Sequence, residues 1–375
     1  MRYSETSRTE PTERLVFSLR ELFTSFGYKR YRMSKFEEYD FYSRNKEFLV
    51  SDQIITFTDT NGKLMALKPD VTLSIIKNNP ENSGVSKLFY DENVYRVTRS
   101  SGTFREIKQV GLECIGNTDE YCVSEAMYLA SQTLERVSAK NVLALSHLGV
   151  LASFASSVGG DEYITNRLLE CASSKNTHDI DSVCASAGIP ACKANAFKEL
   201  ISLSGDPEQV VKQIANIEGA PDVEKEIGEL MSSIGIFKDS PIRGKIVIDF
   251  SVASDMNYYN GIVFKGYVDG VPDSVLSGGC YDALMRKLGK RSGAVGFALY
   301  LDKLERLFGE DDEYDSDVML VYENGSDPAL IRKAAEELNS KGLTVFCTLS
   351  AAADRKCRYV CEFKNGKVKG TDGIS

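Results

Sequence analysis

A segment in the first third of the chain, residues 104–115, places polar side chains at a spacing that could bind a small charged molecule. If the segment is a strand, Arg105, Gln109 and Glu113 share one face with Gly111, because side chains alternate between the two faces of a strand. Gln109 and Glu113 would then be about 13 Å apart, which suits the two ends of a molecule the size of an amino acid. The alternative is a solvated sheet face, which alternation alone favours.

Other residues could contribute to such a site, although each has a simpler interpretation. Asp70 follows Pro69, and it could accept hydrogen bonds from the free N–H groups at the start of a helix. Arg96 could simply pair with an acid. Tyr258 and Tyr259 are adjacent in a predicted strand, so they should face opposite sides of it and at most one should line a given pocket. Core packing is the usual role of tyrosines in a strand.

Helices that would position these residues are predicted from periodicity and from their end signals. Apolar residues at helical spacing predict a helix over residues 12–26, which Gly27 ends. A second helix is predicted over residues 69–78, with Pro69 near its first turn. A third covers residues 120–137.

Strands are predicted on either side of these helices. Two alternating runs around Asn61-Gly62 predict a hairpin with a tight primed turn. Two longer strands flank a loop at residues 100–102 and carry Arg96 and the polar face described above. A buried strand ends at His147, for which we expect a structural role.

The pattern of apolar and polar residues changes twice along the chain, and these changes predict its domain organisation. Residues 159–236 have apolar residues at helical spacing and few β-branched runs, and they are interpreted as a helical insertion. The acidic stretch "GEDDEYDSD" then reads as a linker. Residues 316–375 predict a small β-α-β unit. We therefore expect a main domain over residues 1–310 and a small α/β unit over residues 316–375.

Composition limits the function classes that the chain can serve. The chain has 375 residues, of which 42% are hydrophobic and 26% charged, and its net charge is −9. An acidic balance argues against a large nucleic-acid footprint, since phosphates require Lys and Arg. The N-terminus lacks the apolar region of a signal peptide, and no apolar run approaches the roughly 20 residues of a membrane span. We therefore expect a cytoplasmic protein without membrane contact.

Metal and cofactor chemistry is not expected. Nine cysteines are scattered without a C-x-x-C pair, which predicts reduced and mostly buried thiols. His147 and His178 are the only histidines, so a histidine-based metal site or triad is not expected. The phosphate-binding and zinc motifs G-x-x-x-x-G-K-[ST] and H-E-x-x-H are both absent.

Five segments, taken in order, resemble histidyl-tRNA synthetase, a class II aminoacyl-tRNA synthetase. They are "TFTDTNGKLMALKPDVT", "VYRVTRSSGTFREIKQVGLECIG", "MNYYNGIVF", "GGCYDAL" and "GAVGFALYLDKL". The resemblance covers roughly residues 10–310 and, more weakly, the small C-terminal unit. It implies an α+β fold in which an antiparallel sheet is flanked by helices, with a helical insertion and an abbreviated anticodon-binding-like α/β unit.

The resemblance also implies a histidine-binding set of eight residues. The set comprises Asp70, Thr72, Arg96, Gln109, Glu113, Tyr258, Tyr259 and Tyr281. Within it, Asp70, Thr72 and Gln109 would surround the α-amino group of histidine.

The remaining roles concern the ring and the carboxylate. By resemblance, Glu113 and Tyr259 would address the imidazole nitrogens, and Tyr281 would pack against the ring. Arg96 would lie near the carboxylate or the α-phosphate of ATP. Carboxylates and amides suit an ammonium group, and an acid with phenols suits an imidazole.

Departures from the synthetase pattern remove cations from this site. Ser254 stands where the synthetase has an arginine, and Cys280 and Thr103 replace two more. Lys303 stands for the motif 3 arginine, and Tyr300 for the motif 3 glycine. Asn257 also replaces an aspartate. Adenylate formation needs cations around the transferring phosphate, and each loss costs roughly 10²- to 10³-fold by analogy with single-donor deletions. Aminoacylation is therefore not expected.

This pattern is similar to the family of ATP phosphoribosyltransferase regulatory subunits, which are inactive paralogues of the synthetase. The resemblance implies a non-catalytic partner of the short catalytic subunit, needed for its activity and for feedback inhibition by histidine. It also implies a homodimer within a hetero-octamer, and tRNA is not an expected partner. Two alternatives stay open: an active or degenerate histidyl-tRNA synthetase, and a synthetase-like module that binds another amino acid.

Overall fold

A computed structural model describes residues 10–46, 49, 54–79, 84–97, 102–253, 258–308, 314–351 and 354–370. It divides into two compact units. The larger covers the described residues within 12–307, and the smaller groups the described residues from Phe308 onward with Glu10 and Pro11. Ser254 and Asn257, which carry two of the departures from the synthetase pattern, lie outside the described residues.

The strands of the larger unit form two sheets. Their bounds are β1 (Lys29–Arg30), β2 (Phe36–Glu38), β3 (Thr56–Thr58), β4 (Leu64–Leu67), β5 (Val85–Val97), β6 (Phe104–Gly116), β7 (Asn141–His147), β8 (Ser204–Gly205), β9 (Ile246–Asp249), β10 (Asn260–Val268), β11 (Leu276–Cys280) and β12 (Gly293–Tyr300). A nine-stranded sheet has the order β1-β5-β6-β12-β11-β10-β7-β9-β8, and β2, β4 and β3 form a small second sheet.

Helices surround the large sheet and supply the segment between β7 and β9. Their bounds are α1 (Pro11–Ser25), α2 (Tyr39–Arg44), α3 (Thr72–Asn78), α4 (Glu120–Val137), α5 (Leu148–Val158), α6 (Glu162–Ser173), α7 (Thr177–Ser186), α8 (Asn195–Ser202), α9 (Pro207–Ile214), α10 (Glu224–Ile234), α11 (Asp282–Lys287) and α12 (Glu305–Phe308). Of the helices in the described part of the chain, none combines the length and apolar character needed to cross a bilayer. The cytoplasmic location stays a prediction.

The predicted fold class is confirmed, with one refinement in the strand directions. The central strands β5, β6, β12, β11, β10 and β7 pair antiparallel, as expected. The pairs β1–β5 and β7–β9 are parallel, so the whole sheet is mixed. Its core is built by the apolar face of α4 and of α1, on which Leu19 and Phe23 are completely buried.

The turn between β3 and β4 differs from its prediction. Gly62 has φ +79° but Asn61 does not have positive φ, whereas a primed type I turn needs positive φ at both central residues. The reason is Asp59, whose Oδ1 accepts hydrogen bonds from the backbone N–H groups of Asn61 and Lys63, both at 2.8 Å. This carboxylate organises a longer loop in place of the tight turn.

The smaller unit has its own sheet and its own core. Its elements are β13 (Ser316–Tyr322), α13 (Pro328–Ser340), β14 (Val345–Thr348), β15 (Cys357–Lys364) and β16 (Lys367–Lys369), with the strand order β14-β13-β15-β16. Val318, Leu320, Cys361 and Phe363 are buried together in its core. The sequence did not indicate β16. The assignment of this unit as anticodon-binding-like stays a prediction.

Candidate functional site

One cavity in the larger unit is lined by all eight residues of the predicted set. Its volume is about 200 Å³, below the roughly 300–1,000 Å³ of sites for drug-sized ligands. The strands β5, β6, β11 and β12, the start of α3 and the segment before β10 all contribute to its wall. Other lining residues include Tyr90, Ser277, Gly296, Ala298 and Tyr300.

Pairing between β6 and β12 explains how polar residues reach the cavity floor. Glu113 lies opposite Gly296, and Gln109 lies opposite Tyr300, so these side chains point to the same face of the sheet. Gln109 is 3% exposed and Glu113 2%. The alternative of a solvated sheet face is therefore wrong for these two residues. Arg105 is exposed and is not among the described residues that line the cavity.

Glu113 is the buried acid of the cavity. Its Oε1 accepts a hydrogen bond from the Thr72 hydroxyl at 2.7 Å, and its Oε2 accepts one from the Tyr281 hydroxyl at 2.6 Å. Burial raises the pKa of Glu113 to about 8, although these two hydrogen bonds oppose the shift. A side chain at position 296 would place its Cβ 1.9 Å from Oε2, so only glycine leaves room for this carboxyl group.

Asp70 and Arg96 form the charged wall of the cavity. The Oδ1 atom of Asp70 accepts the backbone N–H of Leu73 at 2.9 Å, and its Oδ2 lies 3.6 Å from Nη2 of Arg96. Arg96 also donates from Nε to the carbonyl of Pro69 at 2.9 Å. Burial raises the pKa of Asp70, while Arg96 acts against that rise. The simpler interpretations, a helix-start acid and a paired arginine, are both correct, and the two side chains nevertheless line the cavity.

The expectation that Tyr258 and Tyr259 face opposite sides of a strand is wrong. β10 begins only at Asn260, and both tyrosines line the cavity with their ring centroids 4.6 Å apart. The cause is local: Gly261 has φ +61°, and the pairing of β10 with β11 shifts register between Asn260 and Val263. Such an irregularity re-aims the side chains beside it.

Tyr281 completes the aromatic wall. Its ring is 2% exposed, and its centroid lies 6.0 Å from that of Tyr258. Its hydroxyl binds the buried acid described above. The cavity thus has acids and an amide at hydrogen-bonding positions, one cationic wall and a cluster of phenol rings.

The sequence did not indicate Tyr90 and Ser277 as cavity residues, and it marked Tyr300 only as a departure from the synthetase pattern. Tyr300 and Ser277 lie 2.8 Å apart at their hydroxyl oxygens. Tyr90 lies beneath Gly111, where an added Cβ would come within 2.5 Å of the tyrosine hydroxyl. The sequence shows that position 111 is a glycine and position 90 a tyrosine, but it does not show the strand pairing that places them opposite each other.

Lys303 and Cys280 replace synthetase cations, and neither is among the described residues that line the cavity. Lys303 donates from Nζ to the carbonyl of Ser274 at 2.7 Å. Cys280 is a free thiol whose pKa is raised to about 12, mainly by burial. All nine cysteines are free thiols, and five of them are buried.

His147 lies outside the cavity and has structural contacts. Its Nδ1 accepts the backbone N–H of Gly149 at 3.1 Å, so it caps α5, and its Nε2 lies 3.3 Å from a carboxylate oxygen of Glu229 on α10. Burial lowers its pKa, which favours the neutral ring that this cap requires. The predicted structural role agrees with these contacts.

Comparison with known proteins identifies the family. The model of the family described as histidyl-tRNA synthetase matches residues 4–304. An ATP phosphoribosyltransferase regulatory subunit from Caldanaerobacter subterraneus subsp. tengcongensis is 30% identical over 76% of this chain and 75% of the relative. The chain belongs to the histidyl-tRNA synthetase family, in its group of ATP phosphoribosyltransferase regulatory subunits.

Solved structures share the fold of this regulatory-subunit group. The ATP phosphoribosyltransferase regulatory subunit/histidyl-tRNA synthetase from Bacillus halodurans has a TM-score of 0.71 at 21% identity and covers 94% of both chains. A chain of the ATP phosphoribosyl transferase (HisG:HisZ) complex from Thermotoga maritima has a TM-score of 0.62 at 18% identity, over 78% of this chain and 97% of that one. At these identities, the likeness is evidence for the fold alone.

Proposed function

We propose that this chain is a non-catalytic regulatory subunit of ATP phosphoribosyltransferase and that free histidine is its effector, bound in the cavity. The observation that carries the proposal is the joint lining of one small cavity by groups that suit each part of histidine. Asp70, Thr72 and Gln109 suit the ammonium group, Arg96 suits the carboxylate, and Glu113 with the phenols suits the imidazole.

The electrostatics of the cavity favour binding over adenylate chemistry. Among the described residues that line it, Arg96 is the single cation, and it is already paired with Asp70. Phosphoryl chemistry needs several cations around the developing charge. We therefore propose that the chain does not aminoacylate, and that tRNA is not a partner.

The partner follows from the family and from the named complex among its structural relatives. We propose that the chain binds the short catalytic subunit of ATP phosphoribosyltransferase, as a homodimer within a hetero-octamer. Histidine would act allosterically, by binding one state of that complex more tightly than the other, because a ligand shifts an equilibrium only through differential affinity.

The deciding experiment is co-purification with a short catalytic subunit, followed by its assay with and without histidine. We expect activity that depends on this chain and falls on addition of histidine. A chain that fails to bind the catalytic subunit would contradict the proposal. Histidine-dependent ATP–pyrophosphate exchange by the purified chain would instead favour the synthetase alternative.

A matched pair of variants tests where histidine binds. Glu113→Ala should abolish inhibition by histidine while the complex still forms. Glu199→Ala, at an exposed position on α8, should change neither property. Inhibition that persists in Glu113→Ala would place the effector site elsewhere, for example at a subunit interface.

A further inference from the structure

The floor of the cavity is built from unusually small side chains on three neighbouring strands. Gly111 on β6 lies opposite Ala298 on β12, which in turn lies opposite Ser277 on β11. One row further towards Glu113, Gly296 leaves the floor equally flat. A flat floor of this kind lets a ligand lie against the sheet backbone.

Tyr300 is the large side chain on this part of the floor. It lies two residues beyond Ala298 on β12, opposite Gln109, and therefore on the same face as the small residues. Its hydroxyl lies 2.8 Å from Oγ of Ser277, so the ring extends diagonally across the row of small residues. Cross-strand diagonals of this kind are within reach of aromatic side chains.

The side chain of Tyr300 is held at its hydroxyl group and on one face of its ring. Ser277 fixes the hydroxyl, and Nζ of Lys303 lies 5.1 Å from the ring centroid, which is a cation–π distance. Lys303 is itself fixed by its hydrogen bond to the carbonyl of Ser274. These contacts fix the position of the Tyr300 side chain, so it forms a rigid part of the cavity wall.

Tyr300 lies on the side of the cavity that is further from Glu113, because it pairs with Gln109 whereas Gly296 pairs with Glu113. Along β5 and β6, Glu113 pairs with Leu88, Gln109 with Glu92, and Arg105 with Arg96. The register therefore places the backbone of Arg96 further from Glu113 than that of Gln109, which lies opposite Tyr300. An amino acid whose side chain reaches Glu113 would have its carboxylate on the Arg96 side, so that a group attached to this carboxylate would extend towards the Tyr300 ring.

We propose that Tyr300 limits the length of the ligand, so that the cavity accepts a free amino acid and excludes the same amino acid with a bulky group attached to its carboxylate. This inference rests on the proposed function, because it assumes an amino-acid ligand. Tyr300 would then be a specificity-determining residue. It would allow the cavity to distinguish a free amino acid from activated or peptide-linked forms of the same amino acid.

Two ligands that differ only in bulk test this inference in the full-length chain. L-histidinamide and L-histidine β-naphthylamide both lack the carboxylate charge, and only the second carries a large group there. By calorimetry, we expect the wild type to prefer histidinamide by more than about tenfold, and Tyr300→Ala to lose most of that preference by gaining affinity for the naphthylamide. Tyr300→Phe, which keeps the ring, should retain the preference.

The outcomes separate this inference from the proposed function. Failure of the wild type to bind histidine itself would count against the effector proposal. The length limit is overturned if Tyr300→Ala does not gain affinity for the naphthylamide relative to the wild type. Tyr300→Leu, which keeps apolar bulk on the sheet but is shorter, should show the same gain and replaces Tyr300→Ala if near-UV circular dichroism shows that the alanine variant is unfolded.

Discussion

At the scale of single residues, the chemistry of the cavity centres on Glu113. Its two oxygens accept hydrogen bonds from hydroxyl groups, and Asp70 nearby adds a second negative charge that raises its pKa further. Asp70 has Arg96 beside it. The cavity therefore holds one ion-paired acid and one acid that burial keeps protonated near neutral pH.

The raised pKa of Glu113 predicts a specific pH dependence of stability. Between the ordinary value of 4.5 and the folded-state value of about 8, the folded chain holds a proton that the unfolded chain has released. The stabilisation is complete below pH 4.5 and is lost as the pH rises to about 8. The slope from this one group is at most about 1.4 kcal/mol per pH unit.

Urea unfolding of the wild type and of Glu113→Gln across that window measures this slope. Other titrating groups contribute equally to both proteins, so the difference in the free energy of unfolding isolates Glu113. We expect the wild-type value to fall with rising pH relative to the variant. A wild-type free energy of unfolding that stays constant or rises with pH relative to that of the variant would contradict the protonated state.

Tyr281 is predicted to stabilise this acid through its hydroxyl group. Tyr281→Phe keeps the ring but removes the donor to Oε2 of Glu113, so the free energy of unfolding should fall by about 1–2 kcal/mol. Histidine binding should weaken as well. Tyr163→Phe is the control: this ring is 68% exposed, and the change should stay within about 0.5 kcal/mol. Equal effects of the two substitutions would show that the hydroxyl of Tyr281 does not matter.

At the scale of elements, the cavity depends on how closely β6 and β12 approach each other. Gly296→Ala would place a Cβ 1.9 Å from Oε2 of Glu113 and 2.4 Å from the carbonyl oxygen of Leu112. The carbonyl belongs to the backbone of β6, so it can move away from the added Cβ only if β6 and β12 move apart. We therefore expect a loss of about 1–3 kcal/mol in the free energy of unfolding, measured by urea denaturation.

Gly228→Ala is the matched control for that substitution. Gly228 is exposed on α10, and an added Cβ would meet nothing within 4 Å. Alanine is the better helix former, so this change should stabilise the chain by about 0.5–1 kcal/mol. Opposite signs for the two substitutions are the expected result, and a neutral Gly296→Ala would mean that the strands can move apart.

Elements with a strong local signal could be predicted from the sequence, and contacts between distant elements could not. The helix over residues 120–137 and the strand that ends at His147 have the predicted bounds, because their periodicity depends only on neighbouring residues. The error at Tyr258 and Tyr259 arose because alternation assumes a regular strand, and the irregularity between Asn260 and Val263 depends on pairing with β11.

The position of Tyr300 shows the same limit for the site. Its place beside Gln109 follows from the pairing of β12 with β6, strands that are separated by most of the larger unit's sequence. Resemblance to the synthetase supplied the eight residues of the predicted set, and the fold brings them to one cavity. Whether they bind histidine remains a prediction.

At the scale of the whole molecule, the chain separates into two units with separate buried cores. Every described residue that lines the cavity lies within residues 12–307. The core that supports it includes Tyr90, Ile115 and Leu284, whereas the smaller unit has a core of its own around Leu320 and Phe363. We therefore expect ligand binding to depend little on the smaller unit, because the cavity and the core that supports it both belong to the larger unit.

Removal of the smaller unit tests that independence. A chain that ends after Phe308 should bind histidine with a dissociation constant within about threefold of the full-length value, measured by calorimetry. The same truncated chain with Glu113→Ala should not bind, which controls for non-specific heat. If the truncated chain keeps its near-UV circular dichroism but loses histidine binding, the smaller unit contributes to the site. If it binds histidine normally but no longer activates the catalytic subunit, the smaller unit takes part in the complex and not in sensing.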